Sequence, residues 1–183
     1  NNDYWIADQF GALSKFTATD FEVYKLNSPE ATASGEMFVR NGIFYAAAGE
    51  VNSSWNYQFN GNGIYKFAEG SWTNYNRFNN SAPDSLFDFI TVTTDPVDES
   101  IWAGSFGGGL LHIKKDNTAE VFKQNSPLRA PFGDPGSYRV SGLAFDSENN
   151  LWVSNFGAVQ QLHVRKNNGN WKSFSITFGL FGD

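Results

Sequence analysis

Leu151-Trp152-Val153-Ser154-Asn155-Phe156-Gly157 is written several times along this chain. A second copy is Ile101-Trp102-Ala103-Gly104-Ser105-Phe106-Gly107, and a third is Tyr4-Trp5-Ile6-Ala7-Asp8-Gln9-Phe10-Gly11. A looser fourth is Ile43-Phe44-Tyr45-Ala46-Ala47-Ala48-Gly49. Each is a short apolar run with a bulky aromatic near its start, closing on small or polar residues and a glycine. That pattern predicts a buried β-strand running into a turn.

Trp102 and Trp152 are 50 residues apart, and Trp5 and Trp102 are 97 apart, about two periods, with Phe44 filling the intermediate slot. Lys25-Leu26-Asn27-Ser28-Pro29 recurs 98 residues later as Lys123-Gln124-Asn125-Ser126-Pro127, and Asn80-Ser81-Ala82-Pro83 is a looser copy between them. A repeat of this length, with several strands per unit, predicts an all-β chain of four-stranded antiparallel β-propeller blades. With strands lettered A to D from the axis outward, blade one supplies strands B to D over 4–26. Blades two, three and four cover 35–76, 88–126 and 139–176, with a tail at 177–183. Asn41-Gly42 between apolar runs predicts a tight A–B hairpin. About four blades are expected, as a partial propeller from a larger ring. The alternative is a closed four-blade ring in which Ser175-Ile176-Thr177-Phe178 supplies the inner strand missing from blade one.

The composition agrees: 17% of residues are aromatic, Cys is absent and Met occurs once. Thirteen Lys and Arg against 19 Asp and Glu give a net charge of −6, which argues against nucleic acid as a partner. Without cysteine there is no disulfide framework. No apolar run approaches the length of a membrane span.

In a propeller the B–C and D–A connections emerge on one face. Here they are the long, variable ones, so that face is expected to bind. It carries Phe10, Phe106 and Phe156, and an insertion in blade two with Trp55, Tyr57 and Phe59 among amides. Interleaved aromatics and amides suit sugar rings. For the three Phe residues, recurrence at one repeat position more often means packing between blades. Asp88 and Arg139 open their strands A, which places both at the mouth of the central channel, to bind a polar ligand or to pair across it. His112 and His163 are expected in equivalent strand C positions, with Lys15 and Lys66 in the same slot of the other blades. That is a structural feature rather than a metal site. The oxygen-rich run at Asp146 is expected to be turn chemistry, not a calcium loop. No catalytic constellation stands above the repeat, and no metal or cofactor is expected.

Leu-Trp-Val, a Gly-rich turn and a later Trp-x-x-Tyr resemble the propeller repeats of bacterial two-component-regulator sensor regions, over residues 3–175. Tyr4 to Asp8, Ile101 to Gly107, and Arg139-Val140-Ser141-Gly142-Leu143-Ala144-Phe145-Asp146 more closely resemble the PorZ family of type IX secretion in Bacteroidetes. The resemblance implies a non-enzymatic scaffold on the bacterial cell surface or in the periplasm. It also implies that the chain handles anionic lipopolysaccharide or another glycan beside a secretion-complex partner and other domains of its parent chain. The alternatives are a periplasmic glycan-sensing propeller of a hybrid two-component receptor, and a metal-dependent propeller lyase or lactonase.

Overall fold

The computed structural model describes residues 3–8, 12–79 and 85–175. Among these residues fifteen strands form four antiparallel sheets, each a meander. The first has three strands, β1 (Tyr4–Asp8), β2 (Ala12–Phe16) and β3 (Phe21–Tyr24). The second comprises β4 (Met37–Arg40), β5 (Ile43–Ala47), β6 (Ile64–Ala68) and β7 (Ser71–Tyr75). The third comprises β8 (Phe89–Thr94), β9 (Ile101–Ser105), β10 (Gly109–Ile113) and β11 (Ala119–Phe122). The fourth comprises β12 (Val140–Phe145), β13 (Leu151–Asn155), β14 (Leu162–Arg165) and β15 (Trp171–Phe174). Among the described residues the only helix is one 3-10 turn at Arg77–Asn79. Among the described residues these are propeller-type blades in an open run. The proposed closing strand at 175–178, apart from Ser175, and the loop copy at 80–83 lie outside the described residues.

Blades pack face to face. Ile101, Ala103, Leu111 and Ile113 of blade three bury against Tyr45, Ala47, Ile64 and Tyr75 of blade two. On the other face Trp102, Leu110 and Phe122 bury against Val140, Leu151 and Val153 of blade four. With a neighbour on each side, β9 and β10 are buried along their whole length. In blade one β3 is exposed along its whole length, and so are Tyr4, Trp5 and Ile6. The same amphipathic strands are thus buried or exposed according to their neighbours, as expected of a repeat unit that cannot bury its own faces. The inner strands β8 and β12 each carry a bulge at the same place, at Phe89/Thr91 and Val140/Gly142.

Strand pairing corrects two readings of the repeat. Trp5 faces Lys15 and Trp102 faces His112, and in blade two it is Tyr45, not Phe44, that faces Lys66. Asn41 and Gly42, both with positive φ (52° and 76°), close the hairpin so tightly that pairing runs one residue further toward the turn. The aromatic slot therefore falls at Tyr45, while Phe44 turns to the opposite face against Trp72. In blade four the partner of Trp152 is Val164, and His163 faces Val153 instead. His112 and His163 are therefore not equivalent. His112 stacks on Trp102 at 3.8 Å, whereas His163 meets the Ser173 hydroxyl at 2.8 Å. Burial lowers the pKa of both imidazoles.

Two glycines with left-handed backbones separate conformation from space. A Cβ on Gly42 would meet nothing within 4 Å, whereas one on Gly63 would lie 1.9 Å from the Tyr75 carbonyl oxygen. Gly42→Ala should cost only the left-handed penalty, about 1–2 kcal/mol. Gly63→Ala should cost more than about 3 kcal/mol, because backbone must move to admit it. Urea unfolding of both variants checks this, and equal midpoints would contradict it.

Candidate functional site

The blade-two insertion rises from a turn in which the Asn52 side-chain oxygen accepts the N–H groups of Ser54 (2.9 Å) and Asn56 (3.0 Å). Trp55 and Phe59 both sit at φ 56°. Bulky residues rarely adopt that conformation, and such strain gathers at binding sites. Asp88 holds the far end of the insertion. Fully buried, its carboxylate accepts N–H groups from Gln58 (2.9 Å), Phe59 (3.1 Å) and Asn60 (2.8 Å). Burial pushes its pKa up, and the three N–H groups pull the other way. Its backbone is equally committed: its N–H donates to the Asn60 carbonyl, and its carbonyl accepts the Phe106 N–H, both at 2.8 Å. In blade four the Arg139 carbonyl accepts the Phe156 N–H in the same way, at 2.8 Å.

These anchors bring residues from three blades into one aromatic surface. The Trp55 ring stacks on Phe156 at 5.1 Å and 8° between planes, with Phe106 5.9 Å away. Tyr57 meets Phe87 and Phe106 nearly edge-on, at 5.4 and 6.0 Å. Phe59 lies 5.1 Å from Phe87. Phe106 is fully buried and forms the floor, while Trp55 is 47% and Phe156 37% exposed. The Arg139 guanidinium lies against this floor, 5.0 Å from the Tyr57 ring and 5.1 Å from Phe106. It pairs with Asp134 at 2.8 Å and donates from Nε to the Tyr57 hydroxyl at 3.2 Å, and that hydroxyl donates to Asp134.

Five of the six aromatics expected on this face thus stand together, and Phe10 lies outside the described residues. Asp88 lies beneath the surface and is spent on backbone; Arg139 pairs with Asp134. Phe87 and Asp134 complete the cluster and were not singled out in the sequence. Phe87-Asp88 and Tyr138-Arg139 are matching aromatic-charged pairs before strands A, a signal that would have found Phe87. Asp134 sits in the irregular connection between β11 and β12, where no periodicity points to it. Beside Trp55 opens a depression of about 360 Å3, lined in part by Glu36, Glu50, Ile90 and Ser141. Among the described residues no three His, Cys, Asp or Glu side chains are grouped to hold a metal. Asp146 serves its turn: its carboxylate accepts from the Asn150 side chain (3.0 Å), the Asn150 N–H (2.9 Å) and the Trp152 indole (2.9 Å). No helix among the described residues is long and apolar enough to cross a membrane.

No protein-family model and no curated protein matches the chain. Among solved structures it is similar to PorZ of Porphyromonas gingivalis, described as an essential bacterial surface component of the type IX secretion system. The TM-score is 0.70 at 22% identity, over 91% of this chain and 23% of that one, so this chain spans less than a quarter of PorZ. A B. thetaiotaomicron extracellular domain, described as part of a one-component system, matches at TM-score 0.49 and 12% identity, covering 94% of this chain and 22% of its own. Another from that organism, described as part of a hybrid two-component system, gives 0.33 and 15%, covering 97% and 27%. At these identities the likeness concerns the fold, which is the propeller-type fold expected from the repeat.

Two outcomes follow from the anchors. Asp88→Ala leaves three backbone N–H groups without their acceptor and should lower stability by about 3 kcal/mol or more, read by urea unfolding. Asp146 is held at a pKa of about 2, chiefly by Asn150 and then Trp152. An unfolded carboxyl titrates near about 3.9, so its stabilising contribution is complete above that pH and is lost as pH falls toward the folded value. The difference in melting temperature between wild type and Asp146→Asn should therefore shrink between pH 5 and pH about 2. A constant difference would contradict this.

Proposed function

We propose that this chain is a non-enzymatic binding propeller of the PorZ kind, a scaffold at the bacterial surface, whose aromatic face holds the sugar portion of lipopolysaccharide. The observation that carries this reading is the half-exposed Trp55 stacked on Phe156 above a buried floor of Phe106. A flat platform built from three blades presents ring faces on which the C–H face of a sugar stacks. Glu36 and Glu50 in the adjoining depression supply acceptors for sugar hydroxyls. The positive charge of Arg139 is already answered by Asp134, so stacking and hydroxyl recognition dominate here rather than charge. The PorZ-like propeller fold supports a surface role.

The test exploits the backbone of Trp55. At φ 56° glycine fits as well as or better than tryptophan, so Trp55→Gly removes the platform without distorting the turn. The variant should keep the wild-type melting temperature within a few degrees. It should bind immobilised Bacteroidetes lipopolysaccharide at least about tenfold more weakly, as loss of a stacked ring implies. Equal affinity of wild type and variant would remove the platform from the site.

A further inference from the structure

The seam between blades two and three differs from the seam between blades three and four at one slot. In the latter, Trp102, His112 and Phe122 of blade three are capped by Arg165, whose guanidinium lies 5.2 Å from the Trp102 ring and 5.8 Å from Phe122. Strand pairing gives the counterparts one blade earlier. Tyr45 faces Lys66 as Trp102 faces His112, and Ile64 faces Tyr75 as Leu110 faces Phe122. Arg165 faces Leu151 as Ile113 faces Ile101. Ile113 is too short to fill the place that Arg165 fills. A cavity of about 140 Å3 remains, at the A–B and C–D turn end of the seam, opposite the aromatic platform.

The lining of this cavity is chemically specific. Tyr45 and Tyr75 are 3% and 9% exposed, and among the described residues neither hydroxyl has a hydrogen-bond partner. Burial raises the pKa of both, so they stay protonated and are donors. Arg40, Lys66, Lys114 and Lys115 surround the opening, against one acid, Glu99. Glu99 is already engaged by Lys115 at 3.7 Å and by the Asn41 amide at 3.0 Å, and Lys114 pairs with Glu120 at 3.9 Å, which leaves Lys66 and Arg40 as the cations without an acidic partner among the described residues. Lys66 has no acidic partner among the described residues; its ammonium lies 6.0 Å from the Tyr45 ring. Four of the 13 cationic side chains of a chain with net charge −6 therefore meet at one small cavity.

We infer that this cavity is a binding site for a monosaccharide-sized organic anion. Its carboxylate or phosphate is held by Lys66, Arg40 and the two tyrosine hydroxyls, and its body rests on Ile101 and Ile113. The volume suits one such unit: a water needs about 10–15 Å3 by this measure, so about nine to fourteen small heavy atoms fit, against about 13 in a hexuronate. The site stands apart from the aromatic platform and does not depend on the reading given to it.

Calorimetric titration of the full chain with glucuronate, glucose 6-phosphate and neutral glucose tests this. At least one anion should bind at least about tenfold tighter than glucose, and which one binds tells carboxylate from phosphate. Lys66→Gln should weaken that binding at least about fivefold, as should the double change Tyr45→Phe with Tyr75→Phe. Ile113→Arg, which gives this seam the side chain of the next one, should abolish it. Lys66→Gln alters a partly exposed side chain, so it reads the site even if Ile113→Arg disturbs folding. No preference for either anion over glucose would overturn the inference, as would undiminished binding by Lys66→Gln.

Discussion

A four-stranded sheet with two apolar faces is stable only when something stands against each face, and this constraint organises the molecule. Blade three, flanked on both sides, buries every residue of β9 and β10. Blade one has the same alternating strands, yet Tyr4, Trp5, Ile6 and Phe21 remain exposed. Burying a large side chain is worth about 1.5–3 kcal/mol, so the seams, not the hairpins, hold most of the stabilisation. Hydrogen bonds within each sheet fix register; packing between sheets fixes everything else.

Repetition of a backbone does not repeat the seams. Trp102 with His112, Tyr45 with Lys66 and Trp5 with Lys15 are one device, a ring beneath a cation or an imidazole. What the next blade contributes decides whether the space above is filled. Arg165 fills it in one seam, and Ile113 leaves it open in the other. A change of one side chain in a shared frame thus turns core into cavity, since close-packed interiors do not collapse to close such gaps.

The opposite face shows how an exposed aromatic surface is kept in order. Asp88 ties the insertion to blade three through its side chain and its backbone at once, and the Asp134–Arg139–Tyr57 network braces the floor from blade four. Trp55 is left at a strained left-handed position with its ring half in solvent. Rigid support under an exposed ring lowers the entropy lost when a ligand docks.

The sequence by itself determined the all-β class, the blade period, the tight Asn41-Gly42 hairpin and the turn role of Asp146. All of these rest on local periodicity and backbone preference. It also gathered Trp55, Tyr57, Phe59, Phe106 and Phe156 on one face, because loop lengths reveal which end of a propeller is elaborated. It did not place Tyr45 in the tryptophan slot or separate His163 from His112, because a one-residue shift in pairing exchanges the two faces of a strand without changing composition. Only the tertiary structure set Asp88 beneath the loop, brought Asp134 to Arg139 and opened the Tyr45–Tyr75 cavity. Each depends on residues that are far apart in the chain and meet across a seam.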